Sequence, residues 1–167
     1  MKLSVGIEYA LHCLLYMVDL EEGKSIGIRD LAQFHNISET YLSKAFSKLR
    51  KACILSSTTG VKGGYRLARD PKDISFWDVV SAIEGNAPMF RCGEIKEVLA
   101  IPATQADTKI YRKHPCVIAT VMFDAEEQMR KYLAGKSLAW LYDTVFNHSY
   151  TPEQRDKTIA WFRTRSW

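Results

Sequence analysis

Apolar residues recur at helical spacing from the start of the chain. Ile7, Ala10, Leu11, Leu14, Leu15, Met17 and Val18 fall on one stripe, which predicts a helix capped by Ser4 and running to about Leu20. Glu21 to Lys24 read as a turn. Ile28 to Phe34 read as a short second helix, and His35-Asn36-Ile37 as a tight connection. Ser38 then caps a third helix with Glu39 in its first turn, where the helix dipole favours an acid. In that helix Leu42, Ala45, Phe46 and Leu49 point inward, and Lys44, Ser47, Lys48 and Lys51 outward. Two short helices joined by about three residues, the second basic, make a helix-turn-helix pattern.

The periodicity then changes. Ile54 to Ser57, the glycine-rich Thr59 to Gly64, and Tyr65 to Ala68 predict strand, turn, strand: a hairpin that forms a wing. Tyr65 and Leu67 are expected to pack that wing. Ser75 and Asp78 have capping-box spacing and open a helix to about Glu84, which Gly85 ends. Residues 86–115 show no period and carry Pro88, Pro102, Pro115 and Cys92. They offer few apolar anchors, and a loop that long inside a compact domain is usually functional or disordered. A long helix follows from Cys116 to Ala134, with Val117, Ile118, Val121, Met122, Ala125, Met129 and Leu133 on one stripe and Gly135 as its stop. That stripe is too long for one small winged domain to bury, which points to dimerisation through it. Ser137 and Thr151-Pro152 look like caps of two further short helices. Cys53 stands where a glycine commonly ends the third helix, so the usual left-handed cap is expected to be missing there.

Composition narrows the class. The 167 residues are 47% hydrophobic and 25% charged, ordinary for a globular chain and unlike a disordered one. No apolar run reaches the ~18 residues that span a bilayer, and Glu8 and His12 interrupt any leader-like stretch. Four cysteines, 13, 53, 92 and 116, are too few for a disulfide scaffold. A soluble, cytoplasmic protein with reduced thiols is expected, with no membrane partner. The net charge of +4 hides a local bias: residues 38–66 hold Lys44, Lys48, Arg50, Lys51, Lys62 and Arg66 against one acid, Glu39. Such a segment is the footprint of a phosphate-binding surface. Ser38, Thr40, Tyr41, Ser43 and Lys44 occupy the first turns of the third helix, the part that enters a major groove. Lys48 is placed to touch phosphate, and Lys62 at the wing tip to reach a minor groove. No phosphate cradle at a helix start, metalloprotease-type His-Glu pair or nucleophile setting is present, so an enzyme is not expected.

The chain resembles the Rrf-two family of bacterial transcription regulators, which includes the iron–sulfur regulators IscR and NsrR. The resemblance is carried by Met1-Lys2-Leu3-Ser4 with Tyr9-Ala10-Leu11, by Tyr41-Leu42 through Leu49-Arg50-Lys51-Ala52, by Gly63-Gly64-Tyr65-Arg66-Leu67-Ala68-Arg69, and by Asp78-Val79-Val80 through Glu84-Gly85. Most cluster binders of the family carry three closely spaced cysteines in the loop. This chain has only Cys92 and Cys116, 24 positions apart. It is instead similar to the RsrR-like redox sensors, in Gly6 through Cys13, Phe34 through Ser38, Phe90 through Ile95 and Cys116 through Ala119. In those sensors a [2Fe–2S] cluster sits across the dimer interface, held by Glu and His of one subunit and two Cys of the other. Residue by residue, the resemblance implies Glu8, His35, Cys92 and Cys116 as ligands. His12 and His114 remain rival ligands, and a Cys/His set of this kind also suits zinc.

The resulting expectation is a mainly α fold with a small β wing. A winged helix-turn-helix domain occupies residues 1–85, a cluster-binding loop 86–115, a dimerisation helix with the following short helix 116–148, and a C-terminal helical extension 149–167. The resemblance implies a homodimeric regulator that binds double-stranded DNA at an inverted-repeat operator and senses redox or iron–sulfur status through a [2Fe–2S] cluster. The alternative is a cluster-free or zinc-stabilised regulator that senses through a thiol.

Overall fold

The computed structural model of the chain describes residues 3–60, 63–93 and 116–165. They form two compact units, one of residues 3–86 with 133–165 and one of 87–93 with 116–132. Lys62, His114 and most of the expected cluster loop lie outside the described residues.

In the first unit, α1 (Val5–Leu15), α2 (Ile28–His35), α3 (Glu39–Lys51) and α4 (Phe76–Glu84) surround an apolar centre. Leu14, Leu31, Leu42, Phe46, Leu49 and Val79 are among its fully buried members. The first helix stops at Leu15, short of the expected Leu20. Its last amides tighten onto carbonyls three residues back, Met17 to Leu14 and Val18 to Leu15. Tyr16 and Met17 stay buried through that turn, which is why the apolar pattern outlasts the helix. Ser4 sits at the N-cap position, but its amide and hydroxyl both donate to the Glu84 carboxylate at the end of α4.

The wing pairs β1 (Leu55–Thr58) antiparallel to β2 (Gly64–Leu67), with Leu55 opposite Leu67 and Thr58 opposite Gly64. Tyr65 exchanges two backbone bonds of 2.9 Å with Ile26, and its ring meets Phe46 edge-on at 5.0 Å. Gly64 is required by this approach, because a Cβ there would lie 2.7 Å from the Ile26 carbonyl oxygen. As expected, α4 carries the Ser75/Asp78 capping box.

After α5 (Val117–Ala134), α6 (Leu138–Tyr142) is capped by Ser137 and passes into a π-helical run, Asp143–Ser149. The C-terminal helix α7 (Pro152–Arg163) starts with a Thr151/Gln154 capping box. Phe162 of α7 stacks on Tyr16 at 4.6 Å and lies 4.9 Å from Phe34. The C-terminal extension thus closes an aromatic cluster over the ends of α1 and α2. In the second unit, residues 87–90 lie against α5, where the Phe90 and Phe123 rings meet at 5.6 Å. Among the described residues no helix is long and apolar enough to cross a membrane.

Candidate nucleic-acid interface and ligand residues

The turn between α2 and α3 is built on Asn36, which adopts the left-handed conformation at φ 53°. Asparagine tolerates this region better than most residues. The Ile37 amide reaches back to Ala32 at 2.9 Å, closing α2 and redirecting the chain into α3. Ser38 then caps α3 by accepting from the Tyr41 amide at 3.4 Å, leaving its hydroxyl hydrogen available to an outside acceptor. Thr40, Tyr41, Ser43 and Lys44 are all exposed. Tyr41 is held from behind: its ring meets Tyr9 edge-on at 5.8 Å.

Lys44, Lys48, Arg50, Lys51 and Arg66 are exposed too. Two of these cations are aimed by serine hydroxyls of β1, Arg50 by Ser57 and Arg66 by Ser56, each at 3.4 Å. Lys48 has a structural partner that the sequence did not indicate. Its ammonium donates to the Ile83 carbonyl at 2.6 Å, which places a cation at the C-terminal end of α4, where the helix dipole favours one.

The end of α3 corrects one expectation. Cys53 has φ 54°, so the left-handed cap is present with a cysteine in it. The Ile54 amide bonds Leu49 O and the Cys53 amide bonds Arg50 O, both at 3.0 Å, and Leu49 and Ile54 are buried together. This is a full Schellman motif.

His35, the last residue of α2, is half-buried, with its ring 5.4 Å from Tyr16 and 5.6 Å from His12. Burial, with His12 adding repulsion, holds its imidazole down to about 4, so it is neutral at physiological pH. Its Nε2 is buried without a hydrogen-bond partner among the described residues. Glu8 is exposed one helical turn before His12 on α1, so His12 links the surroundings of Glu8 and His35. Cys92 is exposed, and Cys116 is half-buried at the start of α5. Cys13 is a core thiol, pushed up to about 12 by burial. Among the described residues no three His, Cys, Asp or Glu side chains of one chain come together as a metal site.

One residue of consequence escapes the sequence pattern. Glu126 is buried on α5 and accepts from the Met89 amide at 3.0 Å and from Arg130. A buried acid held by a partner 37 residues away leaves only a faint sequence signal, an acid four residues after Met122 on an apolar stripe. The start of the expected loop, Met89 and Phe90, is thus held to α5 by protein groups.

The first unit thus joins a helix-turn-helix, a two-stranded wing and a helix rich in exposed cations. The model of one protein family, described as Rrf2, an iron-dependent transcriptional regulator, matches residues 3–144. The chain belongs to the Rrf2 family. It is a DNA-binding transcription regulator and not an enzyme. This Rrf2 regulator is 30% identical to the HTH-type transcriptional regulator IscR of Aliivibrio salmonicida over 84% of its own length and 77% of that protein. It is 37% identical to NsrR of Geobacillus kaustophilus over 55% of its length and 63% of that protein. Its fold is shared with the solved structure of T. potens IscR, at TM-score 0.66 and 21% identity, covering 90% of this chain and 93% of that one. The family match ends inside the π-helical run, so α7 lies beyond the matched residues.

Proposed function

We propose that this Rrf2 regulator is a homodimer that senses redox or iron–sulfur status through a [2Fe–2S] cluster. Glu8 and His35 of one subunit and Cys92 and Cys116 of the partner subunit would hold it, as the resemblance to the RsrR-like sensors implies. The observation that carries the reading is the unpartnered Nε2 of His35. A buried imidazole nitrogen without a partner is costly, and a neutral imidazole is the form that ligates metal. When bound, such a cluster supplies a one-electron couple whose potential is raised by an imidazole ligand.

The rest of the proposed mechanism belongs to the chain. Val117 is 75% and Ile118 71% exposed at the start of α5, an apolar face that a second α5 would cover. Ser38, Thr40, Tyr41, Ser43 and Lys44 address base edges, Lys48 and Lys62 the backbone or minor groove. Two-fold symmetry then calls for an inverted repeat with half-sites about 10 bp apart. His35 ends α2, one residue before the turn that sets α3, so a change at His35 is passed directly to the reading helix.

The test is the visible absorption of protein purified without oxygen, with iron and sulfide assayed. Cys92→Ala and Cys116→Ala are expected to abolish the spectrum, Glu8→Ala and His35→Ala to weaken or shift it. When a Glu8→Ala/His35→Ala protein is mixed with a Cys92→Ala/Cys116→Ala protein, one of the two sites in each mixed dimer keeps all four ligands, so the mixed dimer should hold about half as much cluster as the parent dimer. Bound zinc, or a spectrum lost in His114→Ala and intact in His35→Ala, rejects the assignment.

A further inference from the structure

We infer that Glu126 is a positioning residue for Cys92: it clamps the segment leading into that cysteine onto the long helix α5. The role as a ligand's anchor rests on the cluster reading above; the clamp itself does not. Glu126 is 8% exposed and is the one buried charged side chain among the described residues. Its neighbours Ala125 and Glu127 are exposed, so this carboxylate alone turns inward. One oxygen accepts from the Met89 amide at 3.0 Å, the other from the Arg130 guanidinium one turn on, and the Phe90 amide is directed at it as well. Burial by itself would raise its carboxyl; Arg130 and the two amides outweigh that and hold it below the ordinary glutamate value. The clamp therefore stays charged at neutral pH. Three residues before Glu126, on the same helix face, Phe123 receives the edge of Phe90 at 5.6 Å. A polar bond and a ring contact thus fix two successive residues, Met89 and Phe90, on one face of α5.

Reach explains why this bears on Cys92. Cys116 precedes Phe123 by seven residues, about 10 Å along a helix axis. Cys92 follows Phe90 by two residues, a reach of up to about 7 Å. A segment pinned at Phe90 lets the Cys92 thiol approach the level of Cys116; pinned one helical turn further along α5, it would fall short. The register of the clamp is thus what allows the two cysteines of one subunit to serve one site. It also makes that site continuous with the apolar helix through which the subunits would pair.

The experiment uses the full chain. A nitroxide on Cys92, with Cys53 and Cys116 replaced by serine and no iron present, reports the motion of the segment. Glu126→Ala should sharpen its spectrum, Glu126→Gln should do so less, and Glu127→Ala, on the exposed face, should leave it unchanged. In protein prepared without oxygen and holding its cluster, Glu126→Ala should speed loss of the visible band to a chelator about tenfold, the scale of outer-shell effects at metal sites. Glu126→Gln should fall between Glu126→Ala and the parent. A nitroxide spectrum identical in the parent and both Glu126 variants overturns the clamp. A mobilised label with an unchanged rate of cluster loss overturns the positioning role. A parent protein that never holds iron, with the label still mobilised by Glu126→Ala, rejects the cluster reading and leaves the clamp standing.

Discussion

Two single residues carry conformational or protonation costs that can be measured. Cys53 occupies a left-handed position at φ 54°, where a side chain costs about 1–2 kcal/mol relative to the right-handed region. Cys53→Gly removes that strain at some expense in unfolded-state entropy, and should stabilise the protein by about 1 kcal/mol. Urea unfolding under reducing conditions checks this, and a lower midpoint in the variant would contradict it. His35 gives a pH dependence of known sign in the metal-free chain. Its folded value lies near 4, below the 6.5 of a free imidazole. Between those two values the unfolded chain binds the extra proton, so stability falls as pH drops from 6.5 toward 4 and is fully present above that window. His35→Gln should flatten the dependence of the urea midpoint between pH 6.5 and about 4, the window set by the same two values.

At the scale of elements, what could be read in advance is what is decided locally. The caps at Ser38, Ser75 and Thr151 act over three residues, and each forms as its spacing indicates. The stripe Leu42, Ala45, Phe46 and Leu49 is buried as its period requires. Features decided at a distance were not legible. The end of α1 depends on a turn that keeps Tyr16 and Met17 buried after the helix stops, so hydrophobic pattern alone overruns it. The left-handed end of α3 is enforced by the joint burial of Leu49 and Ile54, and a cysteine does not advertise it. The exposed basic face of α3, with Lys44, Lys48 and Lys51, was legible from its own charges, whereas Glu126 is held by amides in another segment. Lys48 combines the two cases. It was visible as a basic residue of α3, but its bond to the Ile83 carbonyl joins α3 to α4. Lys48→Ala should therefore flatten the salt dependence of DNA binding by about one unit and also cost about 0.5 kcal/mol of stability through the lost charge at the end of α4. Fluorescence anisotropy across a salt series and urea unfolding separate the two effects; a stability change without a slope change would take Lys48 out of the DNA interface.

For the whole molecule, the C-terminal helix is an integral part of the first unit. Phe162 is 7% exposed, stacked on Tyr16 and set against Phe34, while Trp161 packs on Phe34 at 5.6 Å. Phe162→Ala should cost about 3 kcal/mol, the usual scale for emptying a buried aromatic site. Because Tyr16 and Phe34 both border His35, the same change should alter the surroundings of that imidazole, which a histidine ring resonance would report. Denaturant unfolding that shows no loss for Phe162→Ala would mean that α7 merely rests on the surface. Its position also has a practical side. Trimming the gene at residue 144, where the family match stops, would strip the cover from Tyr16 and Phe34 and present a bare aromatic patch to solvent. Such a shortened protein should be sticky and poorly soluble even though every residue assigned to DNA reading is still present, and a failure to purify it would say nothing about the reading head.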